Sequence, residues 1–266
     1  MRKFILYAIP FVLSVLLFTS CSNAQQYESG NYQATVSRIN RLSNPGAGDF
    51  LLKAKSYIAL GQAYKAKESL LLYLLTGEES RSEEDRRFAV SNFIELNSSD
   101  SLTLMLIEPK DGLEARKALY KAYSRTGDFE NAKLIADMLS EDMEQSDLIS
   151  LMLSYPEEPR IVLDFFVSWY ENLEDSERDE YISLLSEFSS ASDIPETTAK
   201  SFLSLTDVLM GNPYFTGSDM RLSIILKIKG NILEKLFDKV NARIYWTQAY
   251  RLNPADEELK NKLKYD

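Results

Sequence analysis

From about residue 31 onward, apolar side chains recur at intervals of three and four, the spacing that gathers them on one side of a helix. Runs that keep this period occupy 31–43, 48–60, 63–76, 83–96, 100–108, 113–126, 129–142, 146–154, 158–172, 177–189, 196–211, 218–236, 239–251 and 255–264. Each is predicted to be a helix. The breaks between them are brief and carry residues that end or kink helices: Asn44-Pro45, Gly61, Gly77, Pro109, Gly127, Pro156, Pro159, Pro195 and Pro213. No stretch alternates convincingly at period two, so no strand is predicted. No long linker divides this part of the chain. The expected fold is all-α.

The first residues follow a different pattern. Arg2 and Lys3 precede "FILYAIPFVLSVLLF", Phe4 to Phe18, in which Ser14 is the polar member, and Thr19-Ser20-Cys21 follows. A positive start, an apolar run and small residues make the layout of a secretory signal peptide. The run is short for a membrane span, which needs about 20 apolar residues. The stretch Phe18-Thr19-Ser20-Cys21 resembles the box of a bacterial lipoprotein, in the loosened form of spirochaete or Bacteroidetes-type lipoproteins; Phe18 departs from the usual leucine-like residue. The resemblance implies that residues 1–20 are a leader, that Cys21 is lipidated, and that the chain is anchored in the cell envelope, facing the periplasm. Ser22 in place of a retention aspartate favours the outer membrane. Residues 21–30 are then the lipidated cysteine and a polar tether, and 31–266 the folded body.

Within that body the text repeats. "AKSYIALGQAYKAKESLLLYL" from Ala54 and "YKAYSRTGDFENAKLIADML" from Tyr120 share an aromatic residue four before a glycine, Tyr57 before Gly61 and Tyr123 before Gly127. Each also has an alanine five after the glycine, Ala66 and Ala132. The glycine suits the turn that ends one helix, and the alanine lets the next helix approach. A third copy, "KGNILEKLFDKVNARIYWTQAYRLNPADEEL", offers Gly230 for close helix contact, and Ala242, Trp246 and Ala249 on one face. Asn253-Pro254 stops its second helix. A fourth echo, "SGNYQATVSRINRLSNP", places Gly30-Asn31-Tyr32 where Gly127-Asp128-Phe129 stands. Gly30, Gly61 and Gly127 lie 31 and 66 residues apart, near one and two lengths of a 34-residue unit.

These segments resemble the tetratricopeptide repeat (TPR), a pair of antiparallel helices. The resemblance implies an α-solenoid of stacked helix pairs that bury their apolar stripes on one another, partly degenerate in 78–110 and 143–215. The charged "PADEELKNKLKYD" reads as the capping helix. Two departures stand out: Phe237 occupies the turn position that should hold glycine, and Tyr120 a site that is usually small.

Composition narrows the function. There is no histidine, which removes the commonest general base and metal ligand. The single cysteine permits no internal disulfide. Acidic residues outnumber basic ones 40 to 30, a net charge near -10 that repels phosphate backbones, so no nucleic-acid partner is expected. Carboxylate clusters at Glu78-Glu79, Glu83-Glu84-Asp85, Glu141-Asp142, Glu157-Glu158 and Glu174-Asp175 sit at helix ends or in loops, where the helix dipole favours acids. No phosphate loop, nucleophile elbow or EF-hand loop is present. No enzyme activity, cofactor or metal is expected.

Two segments stand out as candidates for recognition. "MGNPYFTGSDM", 210–220, is rich in turn residues and offers Tyr214 and Phe215 between two helices. "LDFFVSWYENL", 163–173, crowds four aromatic residues; Phe165, Phe166 and Trp169 fit a core, whereas Tyr170 points elsewhere. On the repeat around Gly127, Lys121, Arg125 and Asn131 could line a groove. The expected function is a non-catalytic protein–protein interaction scaffold binding an envelope protein or peptide, the role the TPR resemblance implies. Alternatives are an accessory of a periplasmic solute transport system, binding a solute-binding protein or a small apolar solute, and an outer-membrane assembly factor.

Overall fold

The computed structural model describes residues 22–76, 82–154, 159–191 and 193–264. The leader, Cys21, Gly77, Glu78-Glu79, Pro156 and Glu157-Glu158 lie outside them. Among the described residues every regular element is helical. The α-helices are α1 (Asn23–Glu28), α2 (Tyr32–Ile39), α3 (Ala47–Ala59), α4 (Ala63–Leu75), α5 (Glu83–Leu96), α6 (Asp100–Leu106), α7 (Leu113–Thr126), α8 (Phe129–Leu139), α9 (Gln145–Leu153), α10 (Pro159–Glu171), α11 (Arg178–Ser190), α12 (Glu196–Met210), α13 (Pro213–Thr216), α14 (Asp219–Lys235), α15 (Lys239–Leu252) and α16 (Glu257–Lys264). A 3-10 turn, Pro109–Asp111, precedes α7.

Most ends fall where the sequence pattern places them, because side chains cap them. Ser82, Ser99, Asp128 and Asp238 each accept a backbone N–H from the first turn of the following helix. Helix α2 stops at Ile39 rather than near residue 43, in a turn that closes through Leu42 N–H to the Ile39 carbonyl (3.0 Å) ahead of Pro45. One expectation is corrected. Residues 23–28, read as part of a polar tether, form α1. Ser22 and Gln25 cap it reciprocally (3.2 and 2.9 Å). Asn23 donates to Asp49 on α3 (2.7 Å), and Tyr27 meets Tyr32 with ring centres 5.4 Å apart. A segment with these partners is packed onto its neighbours, and its polar composition hid this because its apolar contacts come from the two tyrosines.

The described residues fall into two compact units, divided between Ala122 and Tyr123. In the first, α1 packs on α2 and α3, and α2, α3, α4 and α5 pack in succession. Val36, Tyr57 and Ala66 form one buried cluster, flanked by Ile58 and Leu96. Arg86 on α5 ties this unit to the turn before α7. Its guanidinium grips Asp111 with two bonds (2.5 and 2.9 Å) and reaches Glu108 (3.2 Å). The Asp111 carboxylate also accepts the Glu108 N–H (2.8 Å), so this largely buried pair is fully bonded.

In the second unit α14 is the central helix, packed by α11, α12, α13 and α15, while α16 lies on α15. Phe166, Tyr181, Phe188 and Phe202 form a stacked and edge-on aromatic column through α10, α11 and α12. The Tyr181 hydroxyl donates to the Phe166 carbonyl (3.1 Å), and burial pushes its pKa upward. The cluster of Leu226, Leu233, Ala242, Trp246, Ala249 and Leu259 joins α14, α15 and α16. Helix α16 is held by charge as well: Lys227 of α14 reaches Asp256 (3.0 Å) and Glu258 (2.6 Å), and Lys262 reaches Glu234 (2.8 Å). The first unit is therefore built from consecutive helices that bury a stripe on their neighbours, as in an α-solenoid, whereas in the second α11 and α12 also pack on α14 across the intervening chain.

Candidate functional site

Four helix pairs share one turn. It joins α1 to α2, α3 to α4, α7 to α8 and α14 to α15, and at its centre a residue adopts positive φ: Gly30 (77°), Gly61 (66°), Gly127 (76°) and Phe237 (61°). In each, the next residue donates its N–H to the carbonyl five back: Asn31 to Gln26, Gln62 to Tyr57, Asp128 to Tyr123, Asp238 to Leu233 (2.8 to 3.1 Å). The positive-φ residue donates to the carbonyl three back. This is the Schellman closure, which satisfies the free carbonyls of a helix end. Three turns then use the next residue as the cap of the following helix, through Asn31, Asp128 and Asp238.

The residues picked out by the repeat pattern occupy these pairs. Tyr57 is buried one turn before Gly61, Ala66 is buried where α4 packs on α3, and Ala132 is buried on α8. Tyr123 is half-buried and supplies the closing carbonyl of its turn. Tyr120 is buried. Gly230 faces Trp246 so closely that a Cβ there would lie 2.4 Å from the indole Cδ1. Ala242, Trp246 and Ala249 share the buried side of α15, and Pro254 sits in the exposed turn before α16.

The candidates for recognition fare unevenly. Phe215 is fully buried and meets Tyr214 edge-on at 5.3 Å, so it plugs the unit beneath the short helix α13 and is withdrawn as a displayed residue. Tyr214 is half-exposed, but its ring is engaged by two guanidinium groups, that of Arg178 at 4.6 Å and that of Arg221 at 4.0 Å from its centre. Arg221 in turn grips Asp179 (2.6 and 3.1 Å), whose carboxyl it holds below the usual range. Tyr170 is half-buried and its hydroxyl accepts from Asn212 (3.3 Å). Asn131 is exposed but committed to Asp128, donating both its backbone and its side-chain N–H (3.3 and 2.8 Å). Asn241 does the same to Asp238 (3.1 and 2.7 Å), so Asn131 is a turn residue of this repeat rather than a groove residue. Lys121 is half-buried and Arg125 exposed at the end of α7.

Several of the described acids serve caps and pairs. Ser82 leads Glu83, Glu84 and Asp85 into α5, and Asp85 meets Lys55 (3.0 Å); Glu174 N–H donates to Glu177 (3.0 Å). Among the described residues no three His, Cys, Asp or Glu side chains stand close enough to hold a metal ion.

The sequence pattern did not single out the outer side of α15. Phe237 is 89% exposed, Val240 74% and Ile244 48%. Val240, Arg243, Ile244, Thr247, Gln248 and Arg251 line an open cleft of about 490 Å³. Phe237 also borders a cleft of about 570 Å³ with Asp193, Ile194, Pro195, Glu196, Glu234 and Lys235. The signal was present in the spacing of 237, 240 and 244, but the buried side of the same helix carries the stronger apolar residues and claims the pattern.

No protein-family model matches the chain, and no curated protein matches it. Among solved structures it is similar to the C-terminal part of a TPR repeat-containing protein from Cytophaga hutchinsonii, at 14% identity over 91% of this chain and 98% of that one, with a TM-score of 0.30. The TPR-like character of the chain rests on its own four turns and the pairs they close.

Proposed function

We propose that the chain is a non-catalytic protein–protein interaction scaffold, held at the cell envelope by lipid on Cys21. One observation carries the scaffold reading. Regular, well-packed helices present apolar side chains to solvent, as on α15, whose opposite side is fixed inward through Trp246. Apolar side chains on a rigid helix are the usual means of gripping another protein. The anchor reading is supported by the leader pattern and the small residues before Cys21. Several acyl chains would hold the chain firmly, since each buried CH₂ contributes about 0.8 kcal/mol. The larger clefts of the second unit have charged residues in their walls. That suits a protein surface better than an apolar solute, so the transport reading ranks second.

The test uses the full chain, tagged at its C-terminus, in its native cells. Detergent extracts after brief crosslinking should return a stoichiometric protein partner, and its identity separates a transport role from an assembly role. A return of the chain alone would sink the scaffold reading. Labelling with a fatty-acid analogue should mark the chain, and Cys21→Ser should abolish the label and release the chain from membranes. Retention of the label in that variant would overturn the anchor.

A further inference from the structure

Helix α15 has two unlike sides. Ala242, Trp246 and Ala249 are buried in a well-packed cluster, so the helix is firmly seated. On the outward side Val240, Ile244 and Arg251 follow at spacings of four and seven, which places them along one line of the helix, and the exposed Phe237 stands in the turn just before it. The charges on this helix have one sign. Lys239, Arg243 and Arg251 lie within 239–252 and no Asp or Glu does, although acids outnumber bases 40 to 30 in the whole chain. Arg243 and Arg251 stand in the wall of the cleft whose apolar residues are Val240 and Ile244. Arg243 also donates to the Leu263 carbonyl (3.4 Å), which ties its position to the end of α16.

Phe237 adds a separate observation. The other three turns of this type hold glycine, which adopts positive φ without steric cost. Phe237 takes the same conformation with a side chain that is almost wholly exposed. No internal packing compensates for the conformation, and glycine would serve the turn better. The ring is useful only toward something outside the unit.

We propose that this side of α15 is a docking surface for an acidic amphipathic helix of a partner protein. Apolar side chains of that helix lie on Val240 and Ile244, its carboxylates meet Arg243 and Arg251, and Phe237 closes the end nearest the turn. Charge complementarity selects this occupant. A second copy of the chain is disfavoured, because a net charge near -10 repels its own kind. The proposal rests on the scaffold reading and names the partner's chemistry.

The test uses the purified full chain and a fluorescent helical peptide of about twenty residues, with Leu at i, i+3, i+4 and i+7 and Glu on the flanks. A counterpart carries Lys for every Glu. The acidic peptide should bind, and the Lys peptide should bind at least tenfold more weakly. Ile244→Asp should weaken the acidic peptide at least tenfold. The double variant Arg243→Glu/Arg251→Glu should reverse the preference toward the Lys peptide, with circular dichroism unchanged in both variants. Equal binding of the two peptides, or variants that bind as the parent does, would overturn the surface. So would a dimer in sedimentation that Ile244→Asp dissolves, because the occupant would then be a second copy. If crosslinking returns a partner that Ile244→Asp still retains, the scaffold stands and this surface falls. If it returns none, the scaffold reading fails and the docking proposal that rests on it falls too.

Discussion

A Cβ placed on Gly230 would lie 2.4 Å from Cδ1 and 2.5 Å from Nε1 of Trp246. The indole cannot yield easily, because its Nε1 donates to Asn231 (3.1 Å) and its ring is buried in the α14–α15–α16 cluster. Gly230→Ala should therefore destabilise the chain by about 1–3 kcal/mol, the range for overpacking a filled core. Gly48, inside α3 with nothing within 4 Å of its Cβ position, is the control. Gly48→Ala should be neutral or stabilising by up to about 1 kcal/mol, from helix propensity. Urea unfolding of both variants checks the pair, and equal effects would mean that the Gly230 contact is slack.

Phe237→Gly makes the opposite prediction at a turn. A bulky residue in left-handed conformation costs about 1–2 kcal/mol, and the exposed ring loses no packing when removed. Part of the gain is offset by the greater chain entropy of glycine when unfolded. The variant should be stabilised by about 0.5–1 kcal/mol, with a higher urea midpoint and an unchanged slope. Gly127→Ala, which imposes the same strain in reverse, should lower stability by about 1 kcal/mol. A destabilised Phe237→Gly would show that the ring has packing value in the free protein.

Asn231 joins α11, α14 and α15 by hydrogen bonds. It donates to Ser189 (3.1 Å) and Ser190 (3.3 Å) and accepts from Trp246. Asn231→Leu would leave the indole N–H buried without its acceptor, whereas the Ser189 hydroxyl keeps its bond to the Ser186 carbonyl (2.7 Å). One such unsatisfied group costs about 1–3 kcal/mol, and a loss of that size is expected in chemical denaturation. Trp246→Phe in the same background removes the unsatisfied group, and should make the second change cheaper than it is alone. Additive losses would mean that water replaces the missing bonds.

What the sequence revealed and what it hid divide by range. Helix limits such as 83–96 and 113–126 coincide with the structure because caps and period are local, and Phe237 was already conspicuous against Gly30, Gly61 and Gly127. Gly230 was legible as a point of close helix contact, but that Trp246 is what it meets is shown by the structure. The cluster of Arg178, Asp179, Tyr214 and Arg221 was not, because Arg221 and Asp179 are 42 residues apart and no short-range rule pairs them. Phe215 and Asn131 were misjudged for a related reason. Turn-rich text announces a loop, but only packing decides which of its side chains faces inward.

The closing helix α16 should be sensitive to acid through Asp256. Burial works against its charge, yet the N–H groups of Leu259 and Glu258 and the ammonium of Lys227 outweigh it and hold the carboxyl below its ordinary value of 3.8. A depressed folded pKa contributes stability that is present above the unfolded value and disappears as pH falls through the folded one. The bonds that depress it are an N-terminal cap, between Asp256 Oδ1 and the Leu259 and Glu258 N–H groups at 3.1 and 3.0 Å, and the pair with Lys227. Asp256→Asn should accordingly lower the melting temperature at pH 7, and the gap between variant and parent should narrow as pH drops below about 4. Lys227 shifts the other way: burial opposes its charge, but Glu258 and Asp256 together raise its pKa above 10.5, so its part persists through neutral pH and is lost only in strong alkali. Melting curves of parent and Asp256→Asn between pH 2.5 and 8 measure the gap directly, with that range chosen to bracket the carboxylate titration. A gap that stays constant to the acid end would assign the effect of the substitution to lost cap geometry rather than to the carboxylate charge.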